Sequence, residues 1–247
     1  MSAERNLGEN FNQYFEILPA LDAETRSQVY RIRHEVYCRD LGWEPVRDDG
    51  EERDAYDAQS VHLLMRRRGS GELVGCTRVI MAKPNDPREL LPVERSCLAV
   101  LDRKLYDPDR AERRQLAEVS RLAVMRNFRQ RKGENEAPGP LSGDDFEARG
   151  PQSRFPFIPV GLYLGAAEVA KRFGRELVLV LTEPRLAVHF SRIGFAIHPI
   201  GGAIEHRGVR VPSLLYTSKV VDGLRPLIRP LYDTIESQIE AVYARQG

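Results

Sequence analysis

The chain has 247 residues, 42% of them apolar, and a formal net charge of +1; that length can bury one large core or two small ones without forcing a split. The near-neutral balance excludes a dedicated nucleic-acid binder, which needs a pronounced basic excess. No apolar run reaches membrane-spanning length and no charged-then-apolar leader opens the chain, so a soluble cytoplasmic protein is expected.

Residues 1–12 are polar and expected to be flexible. Tyr14 to Leu18 reads as a short first strand, and Asp22 is a good N-cap for a helix running to about residue 41. Val29, Ile32 and Val36 form its apolar stripe, and Arg33, one turn from Val29 and Tyr37, rides on the edge of that face. An arginine leaning inward needs carboxylates. Asp48 to Asp57 supplies them just after Trp43, the single tryptophan; taken alone, such a run is more often a solvated loop. Val61 to Arg68 and Glu72 to Met81 read as strands joined by a turn at Gly69-Ser70-Gly71. Arg78 lies inside the second strand between apolar neighbours, which favours a site residue over an exposed strand arginine.

Residues 84–115 mix proline, acids and bases and read as a covering segment that contains a helix. Leu116 to Val124 is a strong strand. Strict alternation puts Glu118 and Arg121 on opposite faces, so a bulge between them is required if both serve one site. The cations Arg126, Arg129, Arg131 and Lys132 follow, and residues 133–153, rich in glycine and proline, read as a mobile insertion. Val160 to Phe173 is a helix ended by Gly174, and Leu177 to Leu181 a buried strand. Arg210 to Lys219 reads as the last strand. Leu224 to Tyr243 is an amphipathic helix with Leu227, Ile228, Leu231, Ile235, Ile239 and Val242 on one stripe, better suited to packing on a sheet than to a membrane surface. Cys38, Cys76 and Cys97 are odd in number and widely spaced, as reduced thiols would be. The histidines are scattered, and His34-Glu35 lacks a second histidine at helical spacing, so no metal is implied.

The order Arg33-x3-Tyr37-x5-Trp43-x8-Glu52-x-Asp54-x2-Asp57, followed by Arg78 and by Glu118-x2-Arg121, resembles the autoinducer synthase family. Those enzymes make acyl-homoserine lactones from acyl carrier protein thioesters on a GNAT-like fold. Among its relatives, Tyr14-Phe15-Glu16-Ile17 and Val29 to Cys38 look most like the acyltransferases associated with the PEP-CTERM/exosortase system and the long-chain N-acyl amino acid synthases. The resemblance implies an α/β fold: one GNAT-like domain over residues 13–247, with a central mixed, split sheet and an extra C-terminal helix. It also implies a bulge in the fourth strand, where such folds open a V-shaped cleft for the thioester. The basic segment after that strand stands where a GNAT fold carries its pyrophosphate loop. Only Gly133 is available there, which weakens coenzyme A as donor, while four cations suit the acidic surface of acyl carrier protein. Glu183 to Phe195 resembles the GNAT helix that ends in Gly-Phe. Many coenzyme A-dependent members place a proton-donating tyrosine four residues before that glycine, where this chain has Phe190.

The reaction expected is transfer of a long-chain acyl group from a carrier-protein thioester to the amine of an amino acid or related small amine, with no tightly bound cofactor. Glu118 is the candidate base, with Arg121 and Asp54 at the catalytic centre. Glu52, Asp54 and Asp57 are expected to bind the acceptor's ammonium, Arg33, Arg78 and Arg121 to hold those carboxylates, and Tyr37 and Trp43 to cover the cleft. Arg126, Arg129, Arg131 and Lys132 are the expected carrier contacts. The alternatives are a lactone synthase using S-adenosylmethionine, a coenzyme A-dependent N-acetyltransferase, and a non-catalytic module that binds an acyl group or its carrier.

Overall fold

A computed structural model of the protein describes residues 6–86, 88–129 and 156–246. Helix α1 (Leu7–Tyr14) opens it under a reciprocal cap: Asn6 accepts from the Glu9 amide at 3.0 Å, and the Glu9 carboxylate accepts from the Asn6 amide at 3.2 Å. Residues 7–12 therefore depart from the flexible terminus expected of them. Phe11 is fully buried, and Gly8 sits so close to the distant Pro230 carbonyl that a β-carbon there would meet it at 2.2 Å. The docking partner is more than two hundred residues away in sequence, which is why local composition did not reveal it.

Strand β1 (Phe15–Pro19) leads to α2 (Ala23–Arg33), capped by Asp22, whose carboxylate accepts from the Thr25 amide at 2.8 Å. The helix continues through His34–Asp40 in the wider π form, so the helical stretch has the expected extent with an expanded last section. A 3₁₀ turn at Ala55–Gln59 carries the acidic run into β2 (Ser60–Arg67), which pairs antiparallel with β1 and with β3 (Leu73–Met81). The cover contains α3 (Pro92–Cys97). It is anchored by Glu94, fully buried, which accepts from Arg113 Nη1 at 2.7 Å and from the Tyr106 hydroxyl at 2.6 Å.

Strand β4 (Leu116–Val124) pairs with β3 through the bulge that its charge spacing requires. Cys76 lies opposite Ala123 and Arg78 opposite Ser120, so Arg121 and Leu122 together face Thr77 alone, and Arg121 takes φ 54. After the short α4 (Arg126–Arg129), α5 (Phe157–Arg172) packs across the sheet, and β5 (Leu177–Thr182) joins β4 in parallel. Then follow α6 (Pro184–Ile193), the short strands β6 (His198–Pro199) and β7 (Ile204–Glu205), and β8 (Val209–Tyr216), antiparallel to β5. The last strand ends at Tyr216 rather than Lys219; Thr217 starts α7 (Thr217–Gly223). Helix α8 (Arg229–Tyr243) starts later than expected. Leu227 lies before it and is 69% exposed, whereas Leu231, Ile235 and Ile239 are buried. The sheet order is β1-β2-β3-β4-β5-β8-β6, with β7 paired to β8. Among the described residues no helix is long and apolar enough to cross a membrane.

One sheet face carries α1, α5 and α8 over Ile17, Leu63, Met65, Val119 and Val180. The other face holds two separate apolar clusters. One joins α2 to Leu64, Cys76 and Ala123, and the other joins the 84–115 cover to Ile80, Leu116 and Leu179. Between them the register sets His62, Arg78 and Ser120 side by side, a polar seam across the sheet. Helix α6 ends at Gly194, with φ 103 and its α-carbon pressed against the α7 terminus, where a β-carbon would meet the Gly223 carbonyl at 2.2 Å. Gly194→Ala should therefore lower stability by about 2 kcal/mol or more, read from urea unfolding; an unchanged midpoint would mean that α6 and α7 are not packed this way.

Candidate active site

Arg33 leaves the last turn of α2 and runs into the seam, fully buried. Its Nε meets Glu52 and its Nη1 lies 2.7 Å from Asp57. Arg78, from β3, places Nη1 2.6 Å from Asp54 and 2.7 Å from Asp57, with Nε 3.3 Å from the Ser120 hydroxyl. Arg121 is swung by the bulge onto the same group, its Nη2 at 3.3 Å from Glu52, 3.2 Å from Asp54 and 3.4 Å from Glu44. Three guanidiniums thus share four carboxylates, and the fourth of these, Glu44, is also paired with Arg207 at 2.7 Å. Asp54 and Asp57 also form a reciprocal cap on the 3₁₀ turn, the Asp57 carboxylate accepting from the Asp54 amide at 2.8 Å. Burial pushes Asp57 up, but its hydrogen bond to Arg33 and the Arg33 and Arg78 charges outweigh burial and hold it at about 2. His62, buried behind Asp57, is driven by burial down to about 4 and is neutral at pH 7.

The pairing of β4 with β5 runs only from Leu116–Leu177 to Val119–Val180. Beyond that point the strands part, and a cavity of about 270 Å³ opens between them. Arg78, Glu118, Arg121, Tyr37 and Trp43 line it. Tyr37 donates to the Leu122 carbonyl at 2.7 Å, Trp43 stacks on Tyr37 with centroids 5.9 Å apart, and the Arg207 guanidinium lies over the indole at 5.0 Å. Glu118 is buried, lies opposite Ile80 and Leu179 in the sheet, and accepts from the Val93 amide at 2.8 Å, with Arg78, Glu94 and Arg121 near enough for their charges to be felt. Burial raises its carboxyl to about 8, with the Val93 amide and Arg78 only partly opposing the rise.

The structure therefore brings the expected charged residues together but sorts them into two layers. Glu52, Asp57 and Arg33 stand behind the cavity wall, where their partners are one another, and Asp54 is the most accessible of the set with its side chain 25% exposed. Direct contact of Glu52 and Asp57 with an acceptor ammonium, expected from the sequence, gives way to a supporting position. Arg129 also departs from expectation: it is 6% exposed and ion-paired with Asp40 at 2.7 Å, lining the cleft rather than presenting a surface charge. Arg126 is exposed. Arg131, Lys132 and the 133–153 insertion lie outside the described residues.

Sequence reading missed Glu44, Ser96, Tyr163, Glu183, His206, Arg207 and Arg210, which line the cleft or, for Glu44, tie its walls. Five of these come from the far side of the split sheet or its crossover helix, and no local spacing connects them to Arg33. Tyr163, on α5, packs edge-on against Phe190 with centroids 4.4 Å apart. The one available signal was Arg207-Gly208, a turn dipeptide ahead of a strand.

Residues 32–136 match the family model described as Acetyltransferase (GNAT) domain. An acyl-homoserine-lactone synthase of Rhizobium radiobacter is 36% identical over 63 residues, 26% of this chain and 29% of its own length. The matched part thus spans under a third of that curated relative. Among solved structures, TofI in a ternary complex with an inhibitor and MTA superposes with a TM-score of 0.57 at 21% identity, covering 86% of this chain and 97% of TofI. FeeM, an N-acyl amino acid synthase from uncultured soil microbes, gives 0.52 at 15% identity, covering 85% and 94%. The fold is GNAT-like, as the sequence resemblance implied.

Removing Arg33 takes from Glu52 its nearest cation and from Asp57 one of two, leaving Glu52 with Arg121 at 3.3 Å and Asp57 with Arg78 at 2.7 Å. Arg33→Ala is expected to cost about 3–5 kcal/mol, and a melting temperature equal to wild type would contradict the buried pairing. Acid should act through two groups. His62 has a folded pKa below its unfolded value of 6.5, so its contribution is present above pH 6.5 and is lost as pH falls toward 4. Asp57 contributes fully above pH 3.8, and that contribution is lost as pH falls through about 2. Replacing His62 with phenylalanine should flatten the upper part of a stability–pH curve and leave the lower part in place.

Proposed function

We propose that the protein is an N-acyltransferase that moves a long-chain acyl group from an acyl carrier protein thioester to the amine of an amino acid or related small amine. The observation that carries this reading is the open end of the β4–β5 pair, where a buried carboxyl, Glu118, and two fixed guanidiniums, Arg78 and Arg121, face one cleft. The neutral amine nitrogen attacks the thioester carbonyl, the new C–N bond forms and the C–S bond breaks. Glu118, directly or through a water, takes the one proton that the nitrogen loses and passes it on to the departing sulfur, which leaves as the thiol. A carboxyl held near pKa 8 is matched to that transfer, at the price of being largely protonated at neutral pH. The guanidiniums steady the oxyanion, and Tyr37, Trp43, Val36 and Leu122 keep water out. Asp54, Glu52 and Asp57 act on the reaction by fixing Arg78 and Arg121. Carrier protein is the proposed donor on the strength of Arg126, Arg131 and Lys132, with coenzyme A thioester as the competing one.

A second reading, lactone synthesis from S-adenosylmethionine, is favoured by the sequence match to the Rhizobium radiobacter synthase. Against it, an adenine seeking to stack on Trp43 would find Tyr37 and the Arg207 guanidinium already against the indole. Incubation with a long-chain acyl carrier protein or acyl-coenzyme A, offered amino acids or S-adenosylmethionine, separates the two by mass spectrometry. N-acyl amino acid is the expected product; acyl-homoserine lactone alone would overturn the choice of acceptor.

In the same assay kcat/KM should rise with pH and level off above about pH 8. Glu118→Gln should lower it by about a hundredfold or more and remove the pH step. Because the folded-state pKa is raised, the folded form holds its proton more tightly than the unfolded, so wild-type stability falls as pH rises from 4.5 through 8. Glu118→Gln should therefore melt higher than wild type above pH 8; full activity in that variant would remove Glu118 from the chemistry.

A further inference from the structure

The β7–β8 hairpin crosses the mouth of the cleft and meets the charged lattice beneath it through Glu44, which pairs with Arg207 and approaches Arg121. Its turn, His206-Arg207-Gly208, holds Arg207 at φ 55, a left-handed conformation that a residue with a β-carbon adopts only when its surroundings hold it there. They do so from the opposite wall: Arg207 Nη2 lies 2.7 Å from Glu44 and 3.1 Å from the Trp43 carbonyl, and its guanidinium covers the indole. The hairpin is thereby fastened across the opening, and Arg210 is carried into the space beneath.

Among the described residues Arg210 has one carboxylate within 4 Å, Glu183 at 3.7 Å, longer than the 2.7–2.9 Å of a charge-assisted hydrogen bond, and its Nη1 donates to the Val209 carbonyl at 3.1 Å. Its side chain is only 16% exposed, and its charge is felt by the Tyr163 hydroxyl on the cleft floor. Across the cleft, the Nε of Arg121 is buried without a hydrogen-bond partner. The wall thus presents Arg78, Arg121, Arg129, Arg207 and Arg210 against the two carboxyls Glu118 and Glu183, while Glu52 and Asp57 stand behind it. A lining so rich in guanidinium suits an anionic group. An amino acid acceptor brings such a group one carbon from the amine that must reach the thioester.

We propose that Arg210, roofed by the Arg207 clasp, receives the carboxylate of the acceptor. The inference rests on the acyl-transfer reading for the identity of the ligand, and its test does not depend on turnover. A phosphate on the donor's pantetheine arm shares the same oxyanion chemistry, so the experiment separates the two sources.

Trp43 is the single tryptophan and touches the clasp, so its fluorescence reports occupancy of the cleft. The probes are N-dodecanoylglycine, its carboxamide and coenzyme A, titrated against wild type, Arg210→Gln and Arg210→Lys. Wild type should bind the acid at least about tenfold more tightly than the carboxamide, the loss expected for one charge-assisted hydrogen bond. Arg210→Gln should bring the ratio close to one, and Arg210→Lys should retain part of it. A ratio near one in wild type overturns the proposal, and so does a ratio that survives in Arg210→Gln. Weakened coenzyme A binding in Arg210→Gln with the acid-to-amide ratio intact assigns Arg210 to the donor phosphate, and likewise overturns it. Acid-selective binding that is lost in Arg210→Gln, in a protein that makes no N-acyl product from thioester and glycine, upholds the carboxylate site and removes the acyl-transfer reading instead.

Discussion

The sharing of carboxylates among Arg33, Arg78 and Arg121 is the constraint on which the rest of the site depends. Each guanidinium comes from a different element, the end of α2, the middle of β3 and the bulge of β4, and they meet over the acids of one loop. A charge taken from water at any of these positions is costly unless its partner is in place. The 3₁₀ turn helps to supply that arrangement, since the Asp54–Asp57 cap fixes the two carboxylates relative to one another. The lattice fills the seam between two apolar clusters on one sheet face, where apolar packing alone would leave the α2 layer and the 84–115 cover unconnected.

The cleft has a different origin, in the backbone. A parallel β4–β5 pair that stops at Val119–Val180 leaves two strand ends diverging, and the bulge turns Arg121 toward the opening rather than away from it. The helix α3 amide that meets Glu118 closes the third side. A carboxyl at that point is buried, and it lines the cleft because the strands have parted next to it. The raised pKa of Glu118 and the depressed pKa of Asp57 arise within one network, from burial that goes largely uncompensated in the first case and is outweighed by guanidiniums in the second.

The β7–β8 hairpin ties these two parts together. Arg207 pairs with Glu44, which also approaches Arg121, so the roof and the lattice are joined through one carboxylate. Arg207 is thus a left-handed turn residue that bridges two walls, with the more weakly paired Arg210 beneath it.

The sequence by itself determined most local elements and, Glu44 apart, the members of the charged lattice. The helix cap at Asp22, the stripe through Val29, Ile32 and Val36, and the glycine stop after Phe173 are set by neighbours a few residues away. The spacing of Glu118 and Arg121 demanded a bulge because alternation is a local rule. What the sequence did not hold was depth and distance. Whether Glu52 and Asp57 face a guest or back a wall, whether Arg129 points to water or to Asp40, and whether α1 frays or docks on α8 are settled by elements far apart in the chain. Tertiary structure alone brought Tyr163, Arg207 and Arg210 to the cleft. Their positions follow from how the far half of a split sheet folds over the near half, and no periodicity along the chain records that.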